Sequence, residues 1–312
     1  MDAALDIAPA KSRPFIEVTE VWVPQGDRLV LSQATYGDLA EFASVSERES
    51  FARGEGLPGK AWADRKPVVL KQFDGSYFKR AEAAKAAGLT AAVAIPIFAG
   101  KVLKAVVVTL CSDQGGRVGA IELWAAQGGR LTLDAGYYGA AAEFESVSKT
   151  VEFARGVGLP GGAWAANTPI LMRDLGSSHG FVRSKSAGQA GLTNGLGLPI
   201  PSPSGIAMVL ALLTAKGTPI AHRFEIWDAR AAKVGKKNEA VLIDGLCARE
   251  GSLFNDEKER RIAAYMGPVG QVLGTGLPLV ARGTAGLAGY DSIVVLPIHS
   301  EHELAHIVAW YC

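Results

Sequence analysis

The sequence predicts an α+β fold built as three tandem units, each laid on an antiparallel sheet and none joined by a long linker helix. Two observations predict it. A ten-residue block at 53–62, RGEGLPGKAW, returns at 155–164 as RGVGLPGGAW, with eight of ten positions identical at an offset of 102. Around each copy, short alternating apolar runs and turn residues follow in the same order.

The repeat extends well beyond the block at the same offset. Trp22 pairs with Trp124, Tyr36-Gly37 with Tyr138-Gly139, Glu41-Phe42 with Glu143-Phe144, Phe51 with Phe153 and Pro67 with Pro169. After one inserted residue, Phe78 and Arg80 pair with Phe181 and Arg183, and Pro96-Ile97 with Pro199-Ile200. A third copy matches in outline: Glu225-Ile226-Trp227 corresponds to Glu122-Leu123-Trp124, Gly267 to Gly270 and Pro278 to the GLPG…P block, and Leu296-Pro297-Ile298 to Ile95-Pro96-Ile97. It is shorter between Pro278 and Pro297, where the helix of the other units is expected to be missing. Units of about 100 residues are domain-sized rather than solenoid-sized. The expected layout is a flexible N-terminus over 1–14, unit 1 over 15–114, unit 2 over 115–216 and a shortened, degenerate unit 3 over 217–312.

Within unit 1, Ile16 to Val23 and Arg28 to Thr35 alternate and flank Pro24-Gln25-Gly26-Asp27, a hairpin signal. A polar segment with short helical potential runs to Arg53. Gly56 can supply a positive φ, and Pro58 suits the first turn of a short helix carrying Trp62. Pro67 stops that helix, and Pro67 to Lys71 reads as a strand. Ser76 is the expected N-cap of an alanine-rich helix from Tyr77 to Ala87 with Gly88 at C′; Ser178 and Gly191 take those parts in unit 2. Strands Ala91 to Phe98 and Val102 to Leu110 close the unit, giving the order β-β-α-β-α-β-β. The closing strands are apolar on both faces, as central strands are.

The ordered set Gly54 to Trp62, Pro67-Val68, Phe78-Lys79-Arg80-Ala81, Ala87-Gly88-Leu89 and Ala94 to Ile97, repeated nearly as well in unit 2, resembles the GAF family of small-molecule sensor domains. The resemblance implies a sheet of five to six strands with flanking helices, and a pocket between the sheet and the loops after the second and third strands. It also implies a ligand-binding, signal-transducing role of bacterial-sensor type. This chain departs from the family where long helices normally cover the back of the sheet: Cys111 and Val118 are separated only by a turn containing Gly115-Gly116. The bare apolar face then has to be buried by a neighbouring unit or by a second chain. No kinase, cyclase or DNA-binding segment is expected.

On that resemblance the residues expected to line a pocket are Tyr36, Phe42, Trp62, Phe78 and Arg80 in unit 1, and Tyr138, Phe144, Trp164, His179, Phe181 and Arg183 in unit 2. Arg80 and Arg183, which recur with Arg53 and Arg155, either pair with an anionic ligand or tie a loop to backbone carbonyls. Trp62 and Trp164 either line the pocket or plug the core.

The other motifs weigh against catalysis. His302-Glu303-Leu304-Ala305-His306 matches the HExxH zinc pattern, which requires a helix. The repeat places it on a turn and the last strand, where the two histidines would lie about 13 Å apart. Gly54, Gly56 and Gly59 form GxGxxG after a polar loop, with Pro58 interrupting it, so no dinucleotide site is expected. Cys111 and Cys312 share a strand-end position that holds Thr214 in unit 2, and the three cysteines make no CxxC pair. The family's sulfoxide reductases and bilin binders would need cysteines at the pocket.

Apolar residues are 48%, charged residues 20% and the net charge +1, so no nucleic acid or membrane partner is expected. The absence of a signal-like start and the scattered cysteines predict a cytoplasmic protein. The function expected is a non-catalytic, small-molecule-sensing or regulatory protein without a cofactor. Its partners would be a small ligand and a homodimeric or other protein partner. The alternatives are a protein-interaction scaffold whose pockets are filled by its own side chains, and an enzyme with chemistry in one unit.

Overall fold

A computed structural model of the chain describes residues 14–201, 203, 205–230, 238–253, 260–283 and 289–312. The N-terminus expected to be flexible lies outside them except for Pro14.

The first sheet is built from β1 (Ile16–Gln25), β2 (Arg28–Thr35), β3 (Ser50–Ala52), β4 (Val68–Leu70), β5 (Ala91–Ala99) and β6 (Val102–Cys111), in the order β3-β2-β1-β6-β5-β4. It carries α1 (Ala40–Ser46), α2 (Gly56–Asp64) and α3 (Ala81–Ala86). The second sheet repeats this with β7 (Val118–Gln127), β8 (Arg130–Gly139), β9 (Phe153–Ala154), β10 (Ile170–Met172), β11 (Leu192–Ile200) and β12 (Met208–Ala215), and with α4 (Ala142–Ser148), α5 (Gly158–Ala166) and α6 (Ser184–Gln189). The third contains β13 (Arg223–Asp228), β14 (Glu239–Cys247), β15 (Gly251–Ser252), β16 (Arg261–Ala263), β17 (Leu279–Arg282), β18 (Ser292–Ser300) and β19 (Glu303–Tyr311), with α7 (Gly267–Thr275). All pairings are antiparallel, and the fold is α+β with three sheet units.

Two details differ from the expected order. The polar segment before Arg53 contains both α1 and the three-residue β3, which pairs with Arg28 to Val30. The alanine-rich helix starts at Ala81, not Tyr77, and Ser76 does not cap it. Ser76 Oγ instead donates to Phe73 O (2.7 Å) and accepts from Phe78 N–H (3.1 Å), closing a separate turn that sets Arg80 at the helix entrance. Ser178 is likewise outside α6, whose N-cap is Arg183. Between β17 and β18 the described residues hold no helix; residues 284–288 of that stretch lie outside them.

The GLPG block has one shared physical cause. A Cβ on Gly59, Gly161 or Gly270 would stand 2.1, 2.2 or 2.3 Å from the carbonyl oxygen of Ala52, Ala154 or Ala263. Only a residue without a side chain lets this helix sit against the preceding strand. The same glycines accept backbone hydrogen bonds from Gly54, Gly156 and Tyr265 at 2.6–2.8 Å.

Alternation along the closing strands sends side chains to two different cores. On β5, Val93, Ile95 and Ile97 face one way, while Ala92 and Ala94 face the helices. The helix-side cores are private to each unit. The opposite faces of all three sheets meet in one shared core that includes Val107, Leu123, Leu198, Leu210, Val294 and Val308. The faces left bare by the missing linker helices therefore bury one another.

The packing is cyclic. β4 lies against β8, β10 against β14, and β17 against β2, so the third unit returns to the first. The residues four places after Pro67, Pro169 and Pro278 each reach across. Lys71 Nζ meets Glu145 at 2.9 Å, Arg173 meets Asp244 at 2.6 Å, and Arg282 donates to Gly37 O at 2.9 Å. Such part-exposed pairs add little energy each, about 0–1 kcal/mol, but their repetition marks one closing rule used three times.

Candidate functional site

The helical face of each unit is where an inward-facing arginine could meet a ligand. In unit 1, β1 places Glu20 and Trp22 there, the end of α1 places Ser46, and the entrance of α3 places Arg80. Arg80 is 2% exposed and Glu20 is fully buried. The guanidinium donates to Glu20 Oε2 at 2.9 Å and to Ser46 Oγ at 2.5 Å. Trp22 Nε1 donates to the same carboxylate at 2.9 Å, and the Tyr36 hydroxyl at 3.2 Å. Four rings enclose the cation, Phe42 at 5.0 Å, Phe78 at 5.2 Å, Trp22 at 5.4 Å and Phe51 at 5.9 Å from ring centroid to guanidinium carbon.

Unit 2 repeats the arrangement. Arg183 donates to Glu122 Oε2 at 2.8 Å and to Ser148 Oγ, Trp124 Nε1 donates to Glu122 at 3.1 Å, and Phe144, Phe181, Trp124 and Phe153 surround the cation at 4.6–5.6 Å. Burial, and then the adjacent carboxylates, push the Tyr36 and Tyr138 phenols well above the ordinary range, so both stay protonated.

Eight of the expected residues thus converge around the arginines or border them: Tyr36, Phe42, Phe78 and Arg80, and Phe144, Phe181, Arg183 and Tyr138, the last packed edge-on against Phe144 at 6.0 Å. Trp62 and Trp164 do not join; they are half-buried on α2 and α5, packed on the private cores, with Arg155 5.8 Å from the Trp164 ring. His179 is exposed in the turn before Phe181.

The partner of each arginine is neither a ligand nor a backbone carbonyl but a buried glutamate, which the list of expected residues lacks. Its signal is the Glu-x-Trp triplet common to all three units: Glu20-Val21-Trp22, Glu122-Leu123-Trp124 and Glu225-Ile226-Trp227. In unit 3 the carboxylate is kept but its cation comes from elsewhere. Arg223, two residues upstream on β13, donates to Glu225 at 2.8 Å, joined by Trp227 Nε1 and the Tyr311 hydroxyl, both at 3.0 Å.

The HELAH segment lies on the β18–β19 turn and on β19, as the repeat places it. His302 sits in that turn against Gly100 of unit 1. His306 is buried on β19 and its Nε2 lies 3.1 Å from Arg230 Nη2, which it accepts from as a neutral ring. Among the described residues no group of three or more potential ligands could hold a metal ion. Burial, reinforced by Arg230, lowers the His306 pKa from 6.5 to about 4. The unfolded chain therefore binds a proton that the folded chain refuses between those values. Stability is expected to be complete above pH 6.5 and to fall as pH drops toward 4. His306→Gln should flatten that part of a melting-temperature profile, and an equally steep profile in the variant would sink the assignment.

The family model of the GAF domain matches residues 2–128, so the first unit is a GAF domain, and the second repeats its sheet order. No curated protein matches the chain. Among solved structures, the chain is similar to the A. aeolicus nlh2 GAF domain in an inactive state (22% identity, 31% of this chain and 58% of that one, TM-score 0.26). It is also similar to the Neisseria meningitidis free methionine-R-sulfoxide reductase in complex with its substrate (16%, 31% and 52%, 0.25). A third is the GAF domain of a Bacillus halodurans two-component sensor histidine kinase (15%, 32% and 66%, 0.27). The matches span about half to two thirds of those chains' length. Among the described residues no helix is long and apolar enough to cross a membrane.

Proposed function

We propose that this chain is a non-catalytic regulatory scaffold, a closed ring of GAF-like units over 15–114, 115–216 and 217–312 that acts through protein partners in the cytoplasm. The observation that carries the reading is the self-filled pocket. Arg80 and Arg183 are each paired with a buried glutamate inside a cage of four aromatic rings, so the charge a ligand would meet is already neutralised by the protein's own side chains. This favours the scaffold over small-molecule sensing at the family's usual place.

In the first unit the position of the cysteine favours it over reductase chemistry. Cys111 belongs to the shared core, on the opposite face of the sheet from Arg80, and burial pushes its thiol far above the ordinary range. A partner would meet apolar side chains on the helical side. Val157 and Val182 in unit 2, and Tyr265 and Met266 in unit 3, are exposed apolar side chains near the starts of α5 and α7.

The test is a metabolite screen read by NMR at the Trp22 and Trp124 indole N–H groups. Both resonances are expected to stay unmoved, and methionine sulfoxide to go unreduced. A compound that shifts either indole and stabilises the protein would restore the sensing reading.

A further inference from the structure

The junction between the first two sheets and the junction between the second and third use equivalent positions differently. At the first, Phe15 packs against Tyr137 of β8 with ring centroids 5.5 Å apart. A Cβ at Gly119 or Gly139 would stand 2.6 or 2.8 Å from the Phe15 ring, so two bare glycines form its bed. The Tyr137 hydroxyl lies 2.7 Å from Thr90 Oγ1. The chain thus seals this junction with a phenol of its own.

Register identifies the same positions one unit later. Ile121 stands opposite Tyr137, and Phe224 opposite Leu246; Ile121 and Phe224 each precede the tryptophan of Glu-x-Trp by three residues. Leu246 therefore takes the place of Tyr137. Thr193 takes that of Thr90, each following a Gly-Leu pair. His222 and Ala248 stand where Gly119 and Gly139 make room for Phe15. What remains is a half-open cavity of about 280 Å³ lined by Thr193, Asn194, Thr214, Phe224, Leu246 and Ala248, among others. Roughly 150 Å³ of apolar space holds a benzene ring. Thr193 Oγ1 donates to Thr214 O at 3.2 Å and accepts from Asn194 Nδ2 at 3.4 Å, which leaves it one lone pair for a hydroxyl.

We propose that this cavity binds a small phenol, with the ring on Phe224 and Leu246 and the hydroxyl hydrogen-bonded to Thr193 Oγ1, in the place that the Tyr137 hydroxyl takes beside Thr90 Oγ1 in the sister junction. The site lies on the shared-core side of the sheets, apart from the filled helical faces, and would give the scaffold a ligand that acts where two units meet.

The test is titration calorimetry and saturation-transfer NMR on the full chain with phenol, and with toluene, cyclohexanol and benzoate as comparators. Phenol is expected to bind and toluene to bind roughly five- to tenfold more weakly, the worth of one hydrogen bond. Thr193→Val should erase that preference, and Leu246→Tyr should fill the site and abolish binding with no loss of melting temperature. Tyr137→Ala should open the same space at the first junction, so that phenol raises its melting temperature more than that of the parent. The proposal is overturned if phenol does not bind, if toluene or benzoate binds as well, or if a folded Leu246→Tyr chain still takes phenol. Should Leu246→Tyr fail to fold, an unaltered phenol preference in Thr193→Val overturns it equally.

Discussion

Glu122→Gln is expected to destabilise the protein by about 3–5 kcal/mol, the usual cost of leaving one partner of a buried ion pair alone. The amide preserves the shape of the side chain, so packing is nearly unchanged. What is lost is the negative charge that Arg183 needs. That guanidinium is 3% exposed, caged by four rings, and cannot shed its proton. Replacing both partners, Glu122→Gln with Arg183→Met, should recover much of the loss, because an apolar side chain suits that cage. Glu20→Gln should match Glu122→Gln. Glu225→Gln should cost less, roughly 1–3 kcal/mol, because the Arg223 side chain keeps 17% exposure and a second carboxylate, Glu250, at 3.3 Å. Denaturant midpoints of the three single variants check the order. Equal losses at all three sites would show that the buried charge is not what matters.

This pair also shows where the sequence is legible and where it is not. The offset of 102 aligns Arg80 with Arg183 and brings the aromatic positions with them, so most of the cage could be read. The glutamates were equally repeated, in all three units, but a lone carboxylate on an alternating strand reads as a solvent-facing residue. The structure shows that the Trp22 face of β1 is the helix side, and regular alternation along the strand then puts Glu20 there with Val18 and Trp22, the register slip at Val21/Trp22 being taken up on β2. The short elements failed for a related reason: β3 has three residues and takes its stability from pairing with β2, which no local propensity reports. The misplaced start of α3 is a competition between two uses of serine, cap and turn, that Ser76 resolves in favour of the turn. The bare sheet faces were legible from composition, whereas the choice of the other two units as cover depends on curvature and closure.

Closure leads to the second large effect. Leu210→Ala is expected to cost about 2–5 kcal/mol and to move the unfolding of the whole chain, not of one unit. Leu210 is fully buried on β12, stands in register between Leu198 and Leu123, and belongs to the core that all three sheets share. A string of independent units would melt in separate steps, and the substitution would shift one of them. A ring whose units bury each other's backs has no stable partial form, since opening any junction exposes apolar strand faces on both sides. Calorimetry should therefore give a single transition in the parent and a single, lowered one in the variant. Removing residues 217–312 tests the same logic more severely. β17 is what covers β2 and β1, and Leu296, Val308 and Trp310 are part of the common core. The shortened chain should aggregate or self-associate through its uncovered sheets instead of persisting as a two-unit monomer. A well-behaved monomer of 1–216 would mean that two units suffice, and that closing the ring contributes shape but little stability.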